Sequence, residues 1–153
     1  MEKTNVLRLL DQLKIEYKYH EYKDETNGEM VAKLLNEDPS QVFKTLVTIS
    51  NTKEHFVFVI PVNETLDLKK AAKCANVKNI EMIKQKELLP LTGYVHGGCS
   101  PIGMKKEFKT FINDTAILFD SIFVSGGRIG LQIEINPDIL RDLVKAEFVN
   151  CII

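Results

Sequence analysis

The run His55-Phe56-Val57-Phe58-Val59-Ile60 constrains the fold most. Successive side chains of a strand point to opposite faces, so five apolar residues in a row require cover on both faces. Pro61 ends the run. Around it the pattern alternates between short helices and short strands. Thr4 caps a helix from Asn5 to Leu13, with Val6, Leu9, Leu10 and Leu13 on one face. Further helices are expected at Glu29–Leu35, ended before Pro39; at Leu68–Cys74, capped by Asp67 and stopped at Asn76; at Ile83–Leu89, limited by Pro90; and at Asp138–Lys145, with Pro137 in the first turn. Strands are expected at 15–19, 42–49, 93–96, 110–112, 117–119, 122–125, 131–135 and 147–149. This order is neither strict βαβ alternation nor all β. It reads as α/β in the α+β sense.

With 153 residues the chain suits one domain, spanning 1–153. No apolar run approaches the roughly 20 residues of a membrane helix. The charged start Met1-Glu2-Lys3-Thr4-Asn5 lacks the apolar core of a signal peptide, so a cytoplasmic protein without a membrane partner is expected. Cys74, Cys99 and Cys151 are odd in number and widely spaced, which gives no disulfide framework. His20, His55 and His96 form no ligand pair, and neither a metal nor a cofactor is expected. A net charge of −1 is not the footprint of a strong nucleic-acid binder, and no DNA partner is expected. Lys69, Lys70 and Lys73 share one helix, and Lys105, Lys106 and Lys109 form a second cluster. Each reads as a solvated face or as a local basic patch.

Chemistry concentrates in three segments. Gly97-Gly98-Cys99-Ser100-Pro101-Ile102-Gly103 packs three glycines into seven residues. Its backbone N–H groups could bind an anion or a developing oxyanion, or it could be a tight turn. Ser100 could donate to a ligand or hold that turn. In Phe43-Lys44-Thr45-Leu46-Val47 a lysine interrupts an apolar strand, either snorkelling at a sheet edge or facing a pocket. Alternation puts Val42, Lys44 and Leu46 on one face and Thr45 on the other. Val124-Ser125-Gly126-Gly127 ends a strand in a second glycine turn. Ser125 has no base near it in sequence and reads as a binding hydroxyl rather than a nucleophile. His96 and Cys99 flank the glycines, but a small buried hydrophobe is the better reading of Cys99.

Together with Leu68-Lys69-Lys70-Ala71-Ala72-Lys73 and Thr92-Gly93-Tyr94, these segments occur in an order and spacing that resembles the YbaK/EbsC family of aminoacyl-tRNA deacylases, over Leu9 to about Phe148. The resemblance implies a single domain with a mixed, curved, mostly antiparallel sheet flanked by helices, like the prolyl-tRNA synthetase editing domain. It implies catalytic roles for Lys44 and Gly97, and substrate-binding roles for Tyr22, Thr45, Gly98, Ser100, Ser125 and Gly126. From sequence alone Tyr22 is equally a packing residue at a strand end. The chain departs from the family at His96, Cys99 and Asn27, where branched apolar or aromatic residues are usual.

The implied activity is hydrolysis of Cys-tRNA(Pro), and also of Cys-tRNA(Cys). The substrate's own thiol would attack its ester while the protein supplies positioning and charge stabilisation. The implied partners are tRNA(Pro), held weakly, and prolyl-tRNA synthetase. The competing readings are clearance of Ala-tRNA(Pro), a non-catalytic module that binds tRNA or the synthetase, and an unrelated thiol enzyme using Cys99.

Overall fold

The apolar run is the central strand β3 (His55–Pro61) of a five-stranded sheet in the computed structural model, which describes residues 1–153. Its neighbours are β2 (Phe43–Ser50) on one side and β5 (Lys109–Asn113) on the other. The outer strands are β4 (Ile80–Met82) beside β2 and β8 (Glu147–Val149) beside β5. The pairings of β2 are antiparallel, whereas β3, β5 and β8 run parallel. A second, antiparallel sheet has the order β1 (Lys18–Glu21), β7 (Leu131–Ile135), β6 (Ile122–Ser125). The expected mixed, mostly antiparallel sheet is thus present in two pieces. One parallel bridge, Val42 to Phe123, joins them just after the 3-10 turn Pro39–Gln41.

Both faces of β3 are covered. Val57 and Val59 point into the larger core, with Phe43 and Val47 of β2, the inner side chains of β6 and β7, and helix α1 (Asn5–Gln12). Phe56, Phe58 and Ile60 point the other way, towards Phe111 and Ala71 and Ala72 of helix α3 (Leu68–Ala75). Phe58 and Phe111 stack with centroids 5.1 Å apart. Burying a side chain of this size contributes about 1.5–3 kcal/mol.

Two helices, α1 and α3, start at the capping residues expected of them. Thr4 accepts from Leu7 N, and Asp67 accepts from Lys69 N and Lys70 N. Asn27 caps α2 (Gly28–Leu35), and Asn136 caps α5 (Pro137–Val144). Asn36 and Asn76 end α2 and α3 in the left-handed region.

Several boundaries differ from expectation. On α1 the buried face is Val6, Leu7 and Leu10, and Leu13 is half-exposed beyond the helix end. Helix α4 (Gln85–Thr92) runs through Pro90 and stops at Gly93, whose φ of +87° terminates it. Residues 93–96 are a loop rather than a strand, tied down by the buried Tyr94 hydroxyl donating to Ile102 O. The strand expected at 117–119 is instead a 3-10 turn, Asp114–Leu118, with Ile117 and Leu118 facing solvent. Strand β4 was not anticipated, because three residues are too short to show a period. No helix is long and apolar enough to cross a membrane.

Candidate functional site

Strand β4 pairs with β2 only at Thr48–Ser50, and β6 meets it only at the Val42–Phe123 bridge, so no strand pairs with the outer edge of β2 from Phe43 to Leu46. A pocket lies over that open edge. Its walls are the start of α2 (Thr26, Asn27, Gly28), Leu88 of α4, the glycine loop (His96, Gly97, Cys99), and Ser125 and Gln132 at the end of the second sheet. This explains why Lys44 and Thr45 both line it although alternation sends them to opposite faces. Lys44 is paired with Ile60 and Thr45 with Val59, which belong to different cores. An edge pocket reaches both.

Lys44 is half-buried. Its Nζ donates to Val62 O at 3.4 Å, and it makes no ion pair. Burial lowers its pKa, opposed by the charges of Glu29 and Glu64. A cation held this way has coordination to spare for an anion or a polarised carbonyl. Two buried polar atoms on the pocket wall also lack partners, Thr45 Oγ1 and Gln132 Oε1. Such a group costs about 1–3 kcal/mol when left unmatched, so two in one pocket call for an explanation. A bound ligand supplies one.

The glycines divide by role. Gly97 lines the pocket with φ of +86°, and a Cβ there would lie 2.6 Å from Thr26 Cγ2. Both its dihedral and its surroundings demand glycine. Its N–H donates to no backbone carbonyl. Gly98 does not line the pocket. Its N–H donates to Val95 O at 3.0 Å, and a Cβ would come within 2.9 Å of Ile129 N. It brings the two glycine segments into backbone contact. Gly126 also lies outside the lining. Its N–H donates to Leu131 O, and its carbonyl accepts from Thr4 Oγ1 at 2.6 Å.

Ser100 is fully buried outside the pocket, and its Oγ accepts from Ile102 N at 3.2 Å, which holds the turn. Ser125 lines the pocket and accepts from Gly127 N at 3.2 Å. Its cross-strand partner is Gln132, which places both side chains on one face. Tyr22 lies outside the lining, with its hydroxyl buried and unpaired. His96 is exposed at the pocket lip. Burial pushes the Cys99 thiol up to about 12, so it is not a thiolate at neutral pH. No three His, Cys, Asp or Glu side chains lie together as metal ligands would.

Sequence reasoning missed several lining residues, among them Thr26, Leu88 and the polar Gln132. The only trace of Gln132 in sequence is a polar side chain inside Leu131-Gln132-Ile133, and register across β6 gives it meaning.

Residues 24–143 match the aminoacyl-tRNA editing domain family. The chain belongs to that family. All pocket-lining side chains fall within the matched stretch. Among relatives of this editing domain, an Enterococcus faecalis protein provisionally named Cys-tRNA(Pro)/Cys-tRNA(Cys) deacylase EbsC is 43% identical over 96% of this chain and 92% of its own length. Among solved structures, a hypothetical protein named APE2540 superposes with a TM-score of 0.91 at 20% identity, covering 98% of this chain and 100% of that one. One described provisionally as a trans-editing enzyme for prolyl tRNA synthetase superposes with a TM-score of 0.86 at 19% identity, covering 100% and 99%. These two likenesses establish a shared editing-domain fold.

Proposed function

We propose that this editing domain deacylates mischarged tRNA in trans, with Cys-tRNA(Pro) the preferred substrate and Cys-tRNA(Cys) also accepted. The observation that carries this reading is Lys44, an ion-pair-free cation in a pocket with unmatched Thr45 and Gln132 oxygens. The name of the 43% identical relative supports the choice of cysteine.

A synthetase pocket built for proline discriminates poorly against a ligand of similar size, since a few atoms are worth about 1–3 kcal/mol. A second site that removes the error restores accuracy. Here the cysteinyl thiol attacks its own ester carbonyl. A C–S bond forms, the C–O bond to the terminal ribose breaks, and the thiol proton passes to the departing ribose oxygen. The products are uncharged tRNA and a cyclic thiolactone. Lys44 orients and polarises the ester, and the Gly97 N–H faces the charge that develops on the carbonyl oxygen. Ser125, Thr45 and Gln132 hold the aminoacyl group. Tyr22, Gly98, Ser100 and Gly126 support the pocket from behind. No protein nucleophile is required, in keeping with a protonated Cys99. The reaction belongs in the cytoplasm beside prolyl-tRNA synthetase, which we take as the partner that hands over the tRNA.

The test is deacylation of Cys-tRNA(Pro), Ala-tRNA(Pro) and Pro-tRNA(Pro) by wild type and Lys44→Ala. Fast cysteinyl cleavage that falls by about 100-fold or more in Lys44→Ala is expected. Cleavage of the alanyl ester alone would replace cysteine by alanine. No cleavage of any ester, with the synthetase added, would leave a binding module. Rapid inactivation by an alkylating reagent at neutral pH would point to Cys99.

A further inference from the structure

A second concave surface lies between α3 and β4. It is lined by Leu68, Ala72, Val77 and Ile80 at its base and by Lys69, Lys73 and Lys78 at its rim. All three lysines are exposed, and none makes an ion pair, unlike Lys3, Lys109 and Lys145. The nearby Lys70 is already engaged by Ile152 O and Asn150 Oδ1. The acids closest in sequence, Asp67 and Glu81, do not line the groove, and Asp67 accepts from the first N–H groups of α3.

The groove is also rigid. Helix α3 is capped at both ends, and the Lys78–Asn79 corner is held by two N–H donations to Asn51 Oδ1 at 3.1 Å. Three free cations are therefore concentrated on one fixed surface of a protein whose net charge is −1. The groove and the pocket border one apolar cluster. Leu46 lines the pocket and packs into the same cluster as Ala72 and Ile80. From Lys44 to Ser50, the residue opposite Ile80, β2 advances six residues, about 20 Å at roughly 3.3 Å each.

We infer that this groove seats the sugar-phosphate backbone of the tRNA whose 3′ end enters the pocket. The inference rests on the aminoacyl-tRNA reading. Spaced lysines on a rigid concavity match a line of phosphates through charge, without reading bases. Binding that leans on few cations is weak and salt-sensitive, as an editing enzyme that must release every tRNA requires.

The test is binding of uncharged tRNA by fluorescence anisotropy between about 50 and 200 mM salt. It compares wild type with the combined Lys69→Gln, Lys73→Gln, Lys78→Gln protein. A control of equal charge change outside the groove carries Lys14→Gln, Lys18→Gln and Lys145→Gln. The groove variant should lose roughly tenfold in affinity, and its slope of log K against log salt should flatten by about 0.7–0.9 for each phosphate no longer neutralised. The control should stay close to wild type. Unchanged affinity and slope in the groove variant, or an equal loss in the control, overturns the inference. The first of these would leave the lysines to an acidic protein segment. Because uncharged tRNA has no ester, groove-dependent binding by a wild type that cleaves nothing would refute the deacylase reading alone and uphold this one.

Discussion

Lys44 carries the tension between stability and chemistry. Burial lowers its pKa, so folding disfavours its charged form at neutral pH. The unfolded chain then binds the proton more tightly, and Lys44 makes stability rise with pH from its folded pKa up to the unfolded value of 10.5. Replacing it by methionine should remove this cost. Lys44→Met is expected to gain about 0.5–1 kcal/mol at pH 7 while losing deacylation. The figure is kept small because a half-buried charge is partly solvated. Thermal melts of both proteins across pH measure it, and the gap should close towards pH 10.5. A Lys44→Met protein less stable than wild type at pH 7 would show that interactions beyond the hydrogen bond to Val62 offset the burial of the charge. A lysine inside an apolar strand was legible as an anomaly in sequence. Its open sheet edge was not, since that depends on where β4 stops.

Among the elements, α5 shows how much one cap carries. Asn136 Oδ1 accepts from Asp138 N and Ile139 N at 2.9 and 3.1 Å, and its Nδ2 donates to Asp120 O at 3.2 Å. Asn136→Ala should cost about 1–2 kcal/mol in urea denaturation, and Asn136→Ser should recover most of it by restoring the acceptor. An Ala variant as stable as wild type would mean that packing of Leu140 alone holds the helix. Caps at Thr4 and Asp67 were readable because they depend on neighbours in sequence, whereas for α5 the sequence offered only Pro137 in the first turn. The strands expected at 93–96 and 117–119 failed for the opposite reason. Whether a short apolar stretch pairs depends on a partner at the right distance, and none is offered to either.

For the whole molecule, the first helix is the decisive piece. The stretch matched to the editing domain starts at residue 24, yet Val6, Leu7 and Leu10 are fully buried in the larger core. Strand β1 also pairs along β7. Three such side chains contribute about 5–9 kcal/mol, comparable to the whole stability of a domain. Residues 1–153 are therefore expected to unfold in one cooperative transition, and deletion of residues 1–23 to abolish it. Circular dichroism during urea titration measures both, and a sharp transition in the shortened chain would refute this. Acid should weaken the second sheet. Hydrogen bonds from Ser121 and His20 hold Glu134 below 4.5 despite its burial. That contribution is present above the unfolded pKa and is lost as pH falls through the folded one.

Local chemistry accounts for what the sequence by itself determined. The central strand follows from five consecutive apolar residues, and the starts of α1 and α3 follow from the capping side chains of Thr4 and Asp67. Tertiary structure decided the rest. It split the sheet at Val42, left one edge of β2 open, and set Gln132 opposite Ser125. It also gave Gly98, Ser100 and Gly126 internal hydrogen bonds and gathered Lys69, Lys73 and Lys78 around one groove. Each of these depends on strand register and on the packing of segments far apart in the chain, information that no local pattern of residues contains.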